Sequence, residues 1–120
     1  MRVNIKATNM VLTSALKNFI VQKISNLDKF ISHSDAGIQA WVEIGLTTKG
    51  QKSGDIYRAE IQIPVPHFDR TVRVEARHTD LYTAIENAKD LMKMELQKTK
   101  DKKISLSRRG ARLLKNILKY

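Results

Sequence analysis

The chain has 120 residues, 42% of them hydrophobic and 28% charged, with a net charge of +10 and no cysteine. That length fits one domain with a modest core, and the lack of cysteine excludes disulfides, thiolate zinc sites and cysteine nucleophiles. No apolar run approaches the roughly 18 residues of a membrane span, and the opening "MRVNIKATNM" lacks a signal-peptide core, so the expected location is cytoplasmic.

"RVNIKA" alternates, with Val3, Ile5 and Ala7 on one face and Arg2, Asn4 and Lys6 on the other, which predicts a half-buried strand. "LTSALKNFIVQKISNLDKFI" then places Leu16, Phe19, Ile20, Ile24, Leu27 and Ile31 at spacings of three and four, with Lys17, Lys23 and Lys29 off that stripe. This predicts an amphipathic helix capped by Thr13 and ended by "SHSDAG". "IQAWVEIGLTT" alternates again: Ile38, Ala40, Val42, Ile44 and Leu46 inward, Gln39, Trp41, Glu43 and Gly45 outward. The turns "KGQKSGD" and "PHFD" separate it from two further strands. One turns Tyr57, Ala59, Ile61 and Ile63 inward; the other turns Val72, Val74 and Ala76 inward and Arg73, Glu75 and Arg77 outward. Short loops between these three strands predict an antiparallel meander.

A second helix starts near Thr79, its expected cap, with Asp80 in the first turn, where negative charge suits the helix dipole. Leu81, Ala84, Ile85, Ala88, Leu91, Met92 and Leu96 form its apolar stripe over about four turns. The order is β-α-β-β-β-α. Because every strand has one apolar and one polar face, both helices must cover the same side of a four-stranded sheet and leave the other side wet. The expected fold is α+β and resembles a double-stranded-RNA-binding domain. The path from the first strand through the first helix allows a parallel, right-handed crossover to the second.

"ARHTDLYTAIENAKD" gathers His78, Asp80, Tyr82, Glu86 and Asp90, the side chains of proton transfer. Helix geometry accounts for them without chemistry, as a strand end, a cap and outward-facing acids, with Lys89 in reach of Glu86. Catalysis would need them to converge on one cleft. His33, His67 and His78 have no metal-ligand spacing, Gly50 and Gly54 belong to a turn rather than a phosphate cradle, and no catalytic triad is legible. The expectation is a binding protein with no enzymatic activity, cofactor, metal or small-molecule substrate.

Charge distribution points to the partner. Residues 1–96 carry 13 Lys/Arg and 11 Asp/Glu, whereas residues 97–120 carry nine Lys/Arg and the single acid Asp101. A near-neutral body ending in a basic segment suits a polyanion, and nucleic acid is the commonest one.

The β-α-β-β-β-α order, "LTSALKNFIVQKISNLDKF" and "DLYTAIENAKDLMKMELQKTKDKK" resemble the ribosome hibernation-promoting factor and ribosome-associated inhibitor family. The sharpest part runs Asp80-Leu81-Tyr82 through Ala84-Ile85-Glu86, then Leu96, Lys98, Lys100, Asp101 and Lys102; the likeness covers residues 1 to about 103. The resemblance implies a stress-response, stationary-phase translation inhibitor. Its partner would be the small ribosomal subunit, contacted at the subunit interface, through ribosomal RNA and ribosomal proteins, in the channel of messenger and A- and P-site transfer RNA. Matching basic positions are Lys17 and Lys23 on the first helix and Lys98, Lys100 and Lys102 on the second. Met94 and Glu95 stand where the family often has a basic residue followed by glutamine, with Lys93 one residue earlier. The expected RNA-binding set is Lys17, Lys23, Lys93, Lys98, Lys100, Lys102, Lys103, Arg108, Arg109 and Arg112. A general double-stranded-RNA-binding module and a small enzyme remain the alternatives.

Residues 104–120, "ISLSRRGARLLKNILKY", form a basic, amphipathic tail beyond that core. Leu106, Gly110, Leu113, Leu114, Ile117 and Leu118 share a helical face, with Arg108, Arg109, Arg112, Lys115 and Lys119 mostly elsewhere. A helix this short is marginal alone, so the expectation is a tail that orders against RNA or ribosomal protein rather than on an anionic membrane. Long family members carry a second, ribosome-pairing domain, for which this chain is too short. The free chain is expected to be monomeric.

Overall fold

The computed structural model describes residues 1–31, 37–47, 56–66 and 70–118, with the backbone alone for 100–118. The predicted turns within 32–36, 48–55 and 67–69 lie outside the described residues, as do His33 and His67.

Among the described residues seven elements follow one another: β1 (Arg2–Thr8), α1 (Ser14–Ser25), a 3-10 helix (Asn26–Phe30), β2 (Gln39–Leu46), β3 (Tyr57–Val65), β4 (Arg70–His78) and α2 (Leu81–Leu118). They form one sheet in the order β1-β2-β3-β4. β1 pairs parallel with β2, and the remaining pairs are antiparallel. The expected mixed sheet and meander are therefore both present.

The strand pattern dictates this layering. Ala40, Val42, Ile44, Ala59, Ile61, Ile63, Val65, Val72 and Val74 are buried on one face of the sheet. They join Leu16, Ile20, Ile24 and Leu27 from the helical segment after β1, and Leu81, Ala84, Ile85, Ala88, Met92 and Leu96 from α2, in a single core. Each large aliphatic side chain removed from water contributes on the order of 2 kcal/mol.

Three local details differ from the sequence reading. α1 ends at Ser25 and the chain tightens into the 3-10 turn, which still buries Leu27. Leu91 is 40% exposed and leaves the apolar stripe. The cap of α2 is Asp80 rather than Thr79. Its carboxylate accepts from the Thr83 amide at 3.1 Å and the Thr83 hydroxyl at 2.6 Å, while its carbonyl accepts the first helical bond from Ala84. Thr13 caps α1 as expected, accepting from the Leu16 amide at 3.2 Å. Asn9, with φ of 59°, turns the chain out of β1; asparagine is one of the few residues at ease in that left-handed conformation.

α2 is 38 residues long and runs without a break through residue 103 into the tail. At 1.5 Å per residue it spans about 57 Å, far more than a strand of nine residues at about 30 Å. Its first half packs on the sheet, with Thr99 the last described buried residue, and its second half overhangs.

Candidate nucleic-acid interface

The helical side of the molecule has a seam between α1, the 3-10 turn and α2. Phe19 meets Tyr82 edge-to-face with ring centroids 4.8 Å apart, an arrangement favoured by the ring quadrupoles. Lys23 lies 5.5 Å from the centroid of Phe19 and pairs with Glu86 at 2.7 Å. About two turns further along α2, Lys93 sits over the Phe30 ring at 5.5 Å, with Lys29 on the same ring at 5.3 Å. The rings hold the lysine stems, so the ammonium heads have restricted positions beside the seam.

The expected RNA-binding residues divide here. Lys17 is exposed on α1 and has no ion pair among the described residues. Lys93 is likewise exposed and has no ion pair among the described residues. Lys23 is half-buried and neutralised by Glu86. Lys98 is exposed and pairs loosely with Glu95 at 3.6 Å. Five residues on a helix turn through about 500°, so Lys93 and Lys98 project about 140° apart and flank different sides of α2. The side chains of Lys100, Lys102, Lys103, Arg108, Arg109 and Arg112 lie outside the described residues; their backbone belongs to α2. Lys29 was absent from the expected set. Its signal was adjacency to Phe30, which the apolar stripe alone does not reveal.

The residues that resembled an acid–base cluster are separated by function. His78 Nδ1 accepts from the Asp80 amide at 3.0 Å, and Asp80 caps α2. The bonds from Thr83 hold the Asp80 carboxyl below the usual carboxylate range. Glu86 points to α1 instead, its carboxyl held low by the hydrogen bond from Lys23 and the charges of Lys89 and Lys23, against the penalty of burial. His78 and Asp80 are thus engaged at the start of α2 while Glu86 turns to Lys23, and no cluster of three metal-ligating side chains exists among the described residues.

The opposite face of the sheet is open, and its cross-strand rows follow from the register. One row runs Lys6–Glu43–Glu60–Glu75, the next Thr8–Gly45–Arg58–Arg77, and a third Asn4–Trp41–Gln62–Arg73. Three glutamates side by side would repel. Arg58 reaches across them, contacting Glu43 at 3.6 Å, Glu75 at 3.0 Å and also Glu60. Arg73 adds a bond to Glu60 and Arg77 one to Glu75, both 2.9 Å. Burial works against the Arg58 charge, but the bond to Glu75 and the three carboxylates outweigh it and hold its pKa above the ordinary value. Burial likewise disfavours the Glu75 carboxylate, yet Arg58 and Arg77 hold its pKa low.

Fold and surface together define a small α+β domain: a mixed four-stranded sheet, two helices on one face and a row of lysines along the seam between them. The chain belongs to the Sigma 54 modulation protein / S30EA ribosomal protein family, whose model matches residues 3–104. It is 28% identical over 102 residues to the ribosome hibernation promotion factor of Bacillus subtilis (strain 168) and 27% identical over 104 residues to that of Deinococcus radiodurans, each match covering 85% of this chain and 50% of the relative. The chain thus spans about half the length of these curated relatives. Among solved structures, the N-terminal domain of Thermus thermophilus Protein Y matches with a TM-score of 0.66 at 28% identity, over 82% of this chain and 98% of that one. A ribosomal subunit interface protein from Coxiella burnetii shares the fold, with a TM-score of 0.65 at 14% identity over 84% of this chain and 99% of that one. No helix among the described residues is long and apolar enough to cross a membrane.

Proposed function

We propose that the chain is a ribosome-binding hibernation factor with no catalytic role. It occupies the messenger and A/P-site transfer RNA channel of the small subunit at the subunit interface, and so blocks translation. The observation that carries this reading is family membership across residues 3–104, shared with relatives named as ribosome hibernation promotion factors. Residues 1–103 form the ribosome-binding unit, and the basic stretch 104–120 adds a further contact. Lys17, Lys23, Lys93 and Lys98 engage ribosomal RNA together with Lys100, Lys102, Lys103, Arg108, Arg109 and Arg112. Lysines on helices neutralise phosphates and carry little sequence information, which suits recognition of structured RNA by shape; the Glu86 partner of Lys23 offsets part of that lysine's charge.

Co-sedimentation of the full chain with small subunits in low salt tests the reading. Binding should be lost steeply as salt rises, because each phosphate contact releases counterions. The triple variant K98E/K100E/K102E should weaken binding strongly; unchanged binding would move the site off this helix. Equal retention on arbitrary duplex RNA, without preference for the subunit, would favour a general double-stranded-RNA module. Addition of the protein to a translating extract should lower synthesis in step with subunit occupancy.

A further inference from the structure

The open face of the sheet carries one feature that neither the core nor the glutamate row explains. Trp41 is 52% exposed at the centre of that face. Among the described residues it stacks on no ring, lies under no cation, and its indole N–H has no acceptor. It borders a shallow depression of about 240 Å³ shared with Asn4, Lys6, Glu43, Glu60 and Gln62. A large aromatic left half in water on a sheet otherwise lined by polar side chains forgoes about half of what its burial would contribute.

The charges around it state the chemistry of what covers it. This face bears five cations, Arg2, Lys6, Arg58, Arg73 and Arg77, and three carboxylates, Glu43, Glu60 and Glu75. All three carboxylates are engaged by Arg58, Arg73 and Arg77. The cations left without a partner among the described residues are Arg2 and Lys6, four residues apart on β1 and so about 13 Å from one another. They bracket the row that holds Trp41. Beside Trp41 in register stands Gln62, whose amide has no partner among the described residues. A flat ring, a free amide at its edge and two unpaired cations to either side complement a planar base with a phosphate before and after it. A cationic peptide would meet Arg2 and Lys6 as repulsion and would find the glutamates already bound.

We propose that the open sheet face is a second RNA-binding surface, which takes an unpaired nucleotide of ribosomal RNA by stacking its base on Trp41. Gln62 contacts the base edge, and Arg2 and Lys6 meet the flanking phosphates. The inference rests on the ribosomal reading above and extends it, because this face is opposite the lysine-bearing helices. Base–aromatic stacking is tolerant of sequence and strong for its area, so the surface adds affinity without requiring a motif.

Trp41 is the only tryptophan in the chain, so its emission reports on this face alone. The full chain is titrated in low salt with a short single-stranded oligoadenylate, and in parallel with an oligoarginine peptide. Ribosome co-sedimentation is then measured for W41A, W41F and the wild type across a salt series. The expected result is quenching by the oligoadenylate and not by the peptide. W41A should lose between about five-fold and a hundred-fold in ribosome affinity with an unchanged salt slope, since no charge is removed, and W41F should stay close to wild type. Absence of quenching by the oligoadenylate would overturn the stacking platform, and quenching by the peptide alone would assign the face to a protein partner. Quenching with W41A still binding ribosomes like wild type would overturn the ribosomal source. Failure of the wild-type chain to sediment with ribosomes would instead sink the reading beneath it, while the oligoadenylate titration decides the platform independently.

Discussion

Arg70, the first residue of β4, donates from Nη1 to the buried hydroxyl of Thr99 at 3.1 Å, and that hydroxyl donates in turn to the Glu95 carbonyl at 2.9 Å. The contact fastens the edge strand to α2 at the point where the helix leaves the sheet. Thr99→Val keeps the shape and removes the acceptor. It should cost about 1 kcal/mol, read as a lower urea midpoint with unchanged slope. An unaltered midpoint would mean that Arg70 is indifferent to Thr99.

The Arg58 bridge predicts a pH signature. Glu75 is held low, so its contribution is present above the ordinary glutamate value near 4.3 and is lost as pH falls through its lower folded value. Arg58→Met leaves Glu43, Glu60 and Glu75 opposed and should cost about 2 kcal/mol at neutral pH. Protonation of Glu75 removes its share of that repulsion, so the gap from wild type should narrow as pH falls below the ordinary glutamate range. Urea midpoints of both proteins across the pH range would show whether the curves converge on the acid side.

Glu86 restrains Lys23, so Glu86→Gln should have opposite effects on stability and binding. Loss of this partly exposed pair should cost less than about 1 kcal/mol. Release of the Lys23 charge should raise ribosome affinity about two- to five-fold in low salt and steepen the salt dependence by up to about one phosphate's worth. A fall in affinity would show that Glu86 positions Lys23 rather than masking it.

Asp80 as the cap predicts an asymmetry between neighbours. Asp80→Ala should lower the unfolding temperature, and Asp80→Asn should largely restore it, because asparagine also caps well. Thr79→Ala should do neither. Thermal unfolding followed by circular dichroism separates the three.

Period-two alternation in the strands and spacings of three and four in the helices make the layering legible in the sequence itself. A one-residue slip would have turned Val72 and Val74 to water, so the pattern had one solution. What lay beyond reach was lateral. Nothing local says that Glu86 turns to Lys23 across the seam, that Lys29 and Lys93 converge on Phe30, or that three glutamates align under Arg58, because each relation joins distant segments. The choice of Asp80 over Thr79 was a matter of one residue, within the usual uncertainty of helix ends. Leu91 was misplaced because an apolar side chain at the border of a stripe matches the helical period equally well inside or out.

The unbroken course of α2 ties the azimuth of its far end to the sheet. From Thr99 to Leu118 is about 28 Å of helix, and a tilt of about 10° at the anchor would sweep the tip by about 5 Å. One residue inserted after Thr99 would rotate everything downstream by about 100°, whereas seven would restore the phase to within about 20° and merely lengthen the arm. The basic end of the chain is thus indexed to the body in angle as well as in distance, and insertions there should act with a helical period rather than in proportion to their length.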